Sequence, residues 1–138
     1  FFLIIVAFSV FTIISFGVSK HFDVADVESR VILNSIYLSE CINYKDVRVY
    51  PGVIDIEKFE KNTLGECIKS KNLGAKLALN HQEKKTEAFL DKKFFDAESR
   101  FCPFKQYRCE EFVLPVLVRS NDSVDTGELV VEVVLKNA

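Results

Sequence analysis

The feature that most constrains this chain is its first nineteen residues, Phe1 to Ser19, FFLIIVAFSVFTIISFGVS. The stretch carries no charge and no proline, and its polar residues are Ser9, Thr12, Ser15 and Ser19. At about 1.5 Å of rise per residue, a helix of this length reaches about 28 Å, close to the hydrocarbon thickness of a bilayer. Such a helix is apolar all round and must be buried on every side, in lipid or among other helices. Phe1, Phe2, Leu3, Ile4, Ile5, Val6, Phe8, Val10, Phe11, Ile13, Ile14, Phe16 and Val18 give it this character. The run lacks the charged start, shorter apolar core and small-residue cleavage site of a secretory signal. Two origins are therefore open: a retained segment exposed when a basic leader is cut off immediately before it, or a single-pass anchor.

About 119 residues follow, enough for one small domain with a modest core. Lysine and arginine number 18 against 20 acidic residues, for a net charge of −2. That balance leaves no basic footprint for nucleic acid, and the interleaved charges read as a solvated surface. Thirteen phenylalanines, with no Met and no Trp, suit a core of rigid aromatic side chains but name no ligand.

From Lys20 to Asn43 the apolar residues Phe22, Val24, Ala25, Val27, Val31, Ile32, Ile36 and Leu38 recur in steps of three and four, without Pro or Gly. The pattern predicts that the helix continues to about Leu38, changing from apolar all round to amphipathic. Gly17 is its soft point, since glycine weakens a helix interior by about 1 kcal/mol. A strand over Arg30–Leu38 competes, because Val31, Ile32, Ile36 and Tyr37 favour strands.

An uncharged N-terminal helix running into an amphipathic half and then a small β-rich domain resembles archaeal type IV pilins, which are made with a class III signal peptide. Phe1 matches the mature start of many bacterial pilins, whose fifth mature residue is usually Glu; here it is Ile5, a departure that favours the archaeal branch. A second stretch, Arg48 to Phe59 (RVYPGVIDIEKF), is similar to a segment of small archaeal membrane-anchored proteins and carries no assigned chemistry. The pilin resemblance implies a membrane-inserted subunit that later polymerises.

Downstream, Cys41 to Lys45 reads as a turn, Val47–Tyr50 as a short extended piece, and Pro51-Gly52 as the turn that closes it. Ile54–Phe59 suits an edge strand or an extended approach to a helix. Glu60–Lys71 holds Leu64, Cys67 and Ile68 at helical spacing, with Asn62 or Thr63 as cap. Ala75–Asn80 and Thr86–Leu90 flank a polar turn, His81–Lys85, and predict a β-hairpin. Lys93–Tyr107 reads as irregular, with Phe94, Phe95, Phe101 and Phe104 as packing residues. Glu111–Arg119 and Glu128–Lys136 are β-branched runs predicted to pair antiparallel across the loop-forming Ser120–Gly127. Pro115 makes its strand an edge or a bulge. The valines of the last run predict a strand covered on both faces, the amphipathic helix covering one.

Four cysteines behind an apolar segment suit two disulfides in an exported domain, although three connectivities are open. Cys41–Cys67 and Cys102–Cys109 are the favoured pairs. A zinc site is the rival, but no C-x-x-C occurs and His21 and His81 are far apart in sequence. No acid–base or nucleophile constellation and no phosphate-cradling loop stands out, so the chain reads as a non-enzyme with no metal and no cofactor. His21 is expected at the end of the apolar helix and His81 in solvent. Asn121-Asp122-Ser123 fits the N-glycosylation acceptor pattern, with a turn selected for its Asx chemistry as the plain alternative.

The sequence thus predicts an α+β chain: a long hydrophobic N-terminal helix over 1–40 (apolar over 1–19, amphipathic over 20–40) and a small, mainly antiparallel β domain over 41–138. The expected role is a structural subunit of an extracellular pilus-like filament, a homo-oligomer of identical subunits that is membrane-inserted before assembly, binds no nucleic acid and is open to surface glycans. The alternative is a single-pass membrane-anchored binding or envelope protein at the cell surface. A component that primes or caps such a filament is a third reading.

Overall fold

A computed structural model of the chain describes residues 6, 10, 24–62, 64–69, 71–102, 104, 106–121 and 123–136. The described residues are mostly strand. They form one six-stranded sheet with short helices laid on it, which corrects the expected α+β layout led by a long apolar helix. The longest described helix, α1, runs Val24–Tyr37 over 14 residues. Among the described residues no helix is long and apolar enough to cross a membrane.

Helix wins over strand in α1 because tertiary packing selects a helical stripe. Ile32, Leu33, Ile36 and Tyr37 fall on one side and pack on the sheet's core, where Ile36 is fully buried and Ser29 is buried beside the stripe. The chain then forms β1 (Asn43–Lys45) and β2 (Val49–Asp55). Two expectations fail here. The predicted turn at Cys41–Lys45 contains a strand. Pro51-Gly52 lies inside β2, where Gly52 takes a φ of 80° and closely approaches the Tyr37 ring.

Asp55 ends β2 and caps the next helix, α2 (Ile56–Lys61), by accepting from the Glu57 amide at 3.2 Å. Asn62, expected as an N-cap, instead closes α2 in the left-handed conformation. The single helix predicted over 60–71 is replaced by α2 and the one-turn α3 (Leu64–Cys67).

The predicted hairpin is present as β3 (Leu73–His81) and β4 (Lys84–Phe89). Its turn is only Gln82-Glu83, both at positive φ, as a tight two-residue hairpin requires. The stretch read as irregular holds α4 (Lys92–Glu98), capped by Asp91, and a short 3₁₀ turn (Ser99–Phe101). Both terminal strands are longer than expected: β5 spans Tyr107–Ser120 and β6 spans Ser123–Lys136. Their register is unbroken from Tyr107↔Lys136 to Ser120↔Ser123, so the expected eight-residue loop is a two-residue turn.

The strand order is β1-β2-β5-β6-β3-β4. Among the described strands only β2 and β5 run parallel, and they pair over Val53↔Leu117 to Asp55↔Arg119. Pro115 sits before that short ladder, on a part of β5 flanked by β6 alone, where a missing N–H costs no hydrogen bond. β5 is therefore interior at one end and an edge at Pro115, with no bulge.

Leu73, Ala75, Leu77 and Leu79 of β3 line up with Leu135, Val133, Val131 and Leu129 of β6 on the core face. Phe59 and Leu64 fill the same core from α2 and α3. α4 covers the opposite face at Gly74, where a Cβ would lie 2.9 Å from the Phe95 nitrogen. Val134 is buried on that side, so β6 is covered on both faces only at its end; Val124, Thr126 and Glu128 on the same face are exposed and Val130 and Glu132 half-buried, which corrects the expectation of a strand covered throughout on both faces.

Candidate functional site

α1 carries apolar residues on its outer side as well. Val27, Val31 and Leu38 are 51%, 57% and 57% exposed. Steps of four and seven residues place them within an arc of about 40° on a 3.6-residue helix. Leu38 lies just past the helix but keeps a helical bond, its amide donating to the Asn34 carbonyl at 2.8 Å. Ser35, beside the row, donates its hydroxyl to the Val31 carbonyl at 2.9 Å. That polar group is satisfied by its own helix and tolerates loss of water. A single exposed valine needs no explanation, but an aligned apolar row on one helix is a candidate contact surface.

Of the predicted apolar segment, Val6 and Val10 are described. Both are helical and exposed. Phe1, Phe2, Leu3, Ile4, Ile5, Phe8, Phe11, Ile13, Ile14, Phe16 and Val18 lie outside the described residues, as does His21.

The structure joins the cysteines in the favoured pairs. Cys41 and Cys67 have Cα atoms 6.3 Å apart and tie the segment after α1 to the end of α3. Cys102 and Cys109, 5.5 Å apart at Cα, tie the end of the 3₁₀ turn to β5. Asn121 is exposed at the tip of the β5–β6 hairpin with φ 48°. Its carbonyl accepts from Arg119 Nε at 3.3 Å, and Ser123 Oγ donates to the Ser120 carbonyl at 3.1 Å. Asp122 lies outside the described residues. His81 departs from expectation: it ends β3 with its side chain only 8% exposed and Nε2 3.5 Å from Asp125 Oδ2. Pairing of β3 with β6 brings these residues together, which no local spacing announces.

The residue that sequence reasoning missed is Asn43. Fully buried in β1, it donates from Nδ2 to the carbonyls of Tyr37 and Ser39 and accepts from the Gly52 amide at 3.2 Å. It satisfies the carbonyl of the last α1 residue, Tyr37, adds a second bond to the Ser39 carbonyl, which the Asn43 amide also reaches at 3.4 Å, and fixes the end of the helix to β2. Lys58 adds bonds to the carbonyls of Glu40 and Asn43 at 3.1 and 3.0 Å. The orientation of α1 and its outer row thus rests on a small polar network.

Charge pairs brace the sheet. Lys76 of β3 lies 3.3 Å from Glu87 of β4 and 3.6 Å from Glu132 of β6, and Lys85 lies 3.2 Å from Glu87. Burial pulls the Lys76 pKa down, but Glu132 and Glu87 outweigh it and the net shift is upward. Glu87 is held below the usual carboxylate range, first by its hydrogen bond to Lys85 and then by Lys76, against the opposing effect of burial. Among the described residues no group of three or more His, Cys, Asp or Glu side chains is placed to hold a metal ion. No protein-family model, curated protein or solved structure gives a significant match to this chain.

Proposed function

We propose that the chain is a structural subunit of an extracellular, pilus-like helical filament, membrane-inserted before assembly and polymerising through its apolar N-terminal stretch. The observation that carries this reading is the exposed Val27–Val31–Leu38 row on α1, on the same chain as the uncharged stretch Phe1–Ser19. Both are surfaces that water disfavours, and a neighbouring subunit of the same kind covers them. Full burial of a large aliphatic or aromatic side chain contributes about 1.5–3 kcal/mol. The partly exposed residues of the row add a fraction of that, and the phenylalanines and isoleucines of the stretch supply the larger share. A head-to-tail contact that does not close on itself yields an open helical array.

The sheet would face outward, with its two disulfides suited to an oxidising exterior and Asn121 at a hairpin tip where a glycan can be attached. The resemblance of the N-terminal pattern to archaeal type IV pilins supports the same reading. A single-pass, cell-surface binding protein is the second reading, favoured by the disulfide-braced sheet and by nothing on α1.

The test is assembly in the source cells. Val27→Asp and Val31→Asp place a charge in the row without touching the core. Sheared surface material should then lack filaments containing this chain, while the chain stays in the membrane fraction with both disulfides formed. Filaments undiminished in both variants would reject the interface.

A further inference from the structure

We infer that His81 and Asp125 form a site for a divalent transition-metal ion of the zinc class, which clips the end of β3 to the start of β6. The inference stands apart from the filament reading. Asn80↔Glu128 is the last pair of β3 with β6, so His81 lies opposite Gly127. Gly127 presents no side chain there; a Cβ would lie 2.7 Å from Val118 Cγ2 and 3.7 Å from His81 Cβ. His81 therefore reaches past Gly127 to Asp125, two residues away on the same face of β6.

The His81 side chain is 8% exposed, and its Nε2 is buried without a hydrogen-bond partner. A buried polar atom left unpaired calls for a water or an ion. Asp125 Oδ2 lies 3.5 Å from it, beyond the limit of about 3.2 Å for an N–H···O bond. The same spacing fits a shared ion. Two ligand atoms each about 2.1 Å from a zinc-class ion, at a tetrahedral angle, lie about 3.4 Å apart.

Asp125 is a ready oxygen ligand. Gln82 Nε2 donates to its Oδ2 at 2.7 Å and holds the carboxylate in place, as outer-shell partners of a metal do. Among the described residues no lysine or arginine pairs with it. Lys84 lies 3.0 Å from Glu60, and Lys85 lies 3.2 Å from Glu87. The Asp125 side chain is 42% exposed, so an ion enters from solvent and keeps water in its remaining positions. One imidazole and one carboxylate suit Zn2+, whereas Ca2+ and Mg2+ take oxygen ligands. With two protein ligands the site is weaker than a four-ligand structural cage.

An ion that binds only the folded chain raises its melting temperature as the ion concentration rises. The test is thermal unfolding of full-length chain in detergent at neutral pH, with Zn2+ added to about a hundred times its dissociation constant. Expected are a rise that EDTA reverses and that Ca2+ or Mg2+ does not produce. The rise should be lost in His81→Gln and in Asp125→Asn and kept in His21→Gln. In the unsubstituted chain, Zn2+ should move the nitrogen-15 resonance of His81 Nε2, a readout that no variant's folding affects. A Zn2+-dependent rise undiminished in both variants places the ion elsewhere and overturns the inference. So does an unmoved His81 resonance. A chain that both variants destabilise equally with and without Zn2+ would make the pair a proton-linked contact alone, which also overturns it.

Discussion

Replacing Asn43 by alanine removes a buried side chain that fastens the end of α1 to β2. Three hydrogen bonds are lost: two donated to the Tyr37 and Ser39 carbonyls and one accepted from the Gly52 amide. A typical intramolecular hydrogen bond contributes about 0.5–1.5 kcal/mol, and an orphaned buried partner costs more. Asn43 itself is fully buried, and three such bonds sum to about 3 kcal/mol. At about 4 °C per kcal/mol for a domain of this size, the melting temperature should fall by about 12 °C. The assay is thermal unfolding of full-length chain in detergent, followed by far-ultraviolet circular dichroism. Asn43→Asp keeps the acceptor but loses the donors and buries a charge, so it should rescue nothing. The surface control is Lys45→Ala, which breaks only the exposed Lys45–Glu40 pair and should leave the transition in place. Asn43→Ala melting together with Lys45→Ala would refute the role assigned to the network.

The disulfides should contribute unequally. Loop-closure entropy for separations of 26 and 7 residues gives about 3.5 kcal/mol for Cys41–Cys67 and about 2.4 kcal/mol for Cys102–Cys109, so urea midpoints of the paired Cys→Ala variants should fall in that order. Intact mass should lie two hydrogens per bond below the all-thiol form, and full alkylation without reductant would exclude the bonds. Gly74→Ala should destabilise by about 1–3 kcal/mol, because its Cβ meets backbone atoms of Phe95 rather than a flexible side-chain end; an unchanged melting temperature would show that α4 is free to shift. The lowered Glu87 pKa makes its stabilisation full above the unfolded value of 4.5 and lost as pH falls through the depressed folded value. The raised Lys76 pKa makes its contribution full below 10.5 and lost as pH rises through the elevated folded value. Stability should therefore hold a plateau between these limits, and Glu87→Gln should flatten its acid edge.

What the sequence disclosed was whatever repeats locally. The alternation in β3 and β4 and the valine-rich β6 were legible because each side chain's face follows from a period of two. The cysteine pairs were legible because an even count in a short domain leaves three arrangements. Boundaries failed where a local signal met a tertiary one. Pro51-Gly52 reads as a turn by itself, yet pairing with β1 on either side of it, Lys45↔Val49 and Asn43↔Ile54, keeps it within a strand. Ser120–Gly127 has loop composition, yet its residues pair from Ser123 onward because register with β5 continues to the tip. The α1 row was present as spacing, but which of its two apolar sides faces the sheet depends on Ile36 meeting the core, which no local pattern specifies. Asn43 was invisible because a buried amide bridging two elements has the same sequence appearance as an asparagine in a turn. The expectation of a long N-terminal helix carried α1 too far into the fold class: the described chain is organised by the six-stranded sheet, with α1 as its cover.

The most direct measurement is electron microscopy of material sheared from the surface of the source cells, with mass spectrometry of the purified fibres. The filament reading predicts fibres in which this chain is a principal component, lost in the Val27→Asp and Val31→Asp variants. Cells that make the chain yet shed no fibres containing it, with all of it recovered by detergent from the membrane, would contradict that reading and make the sheet domain an anchored surface module.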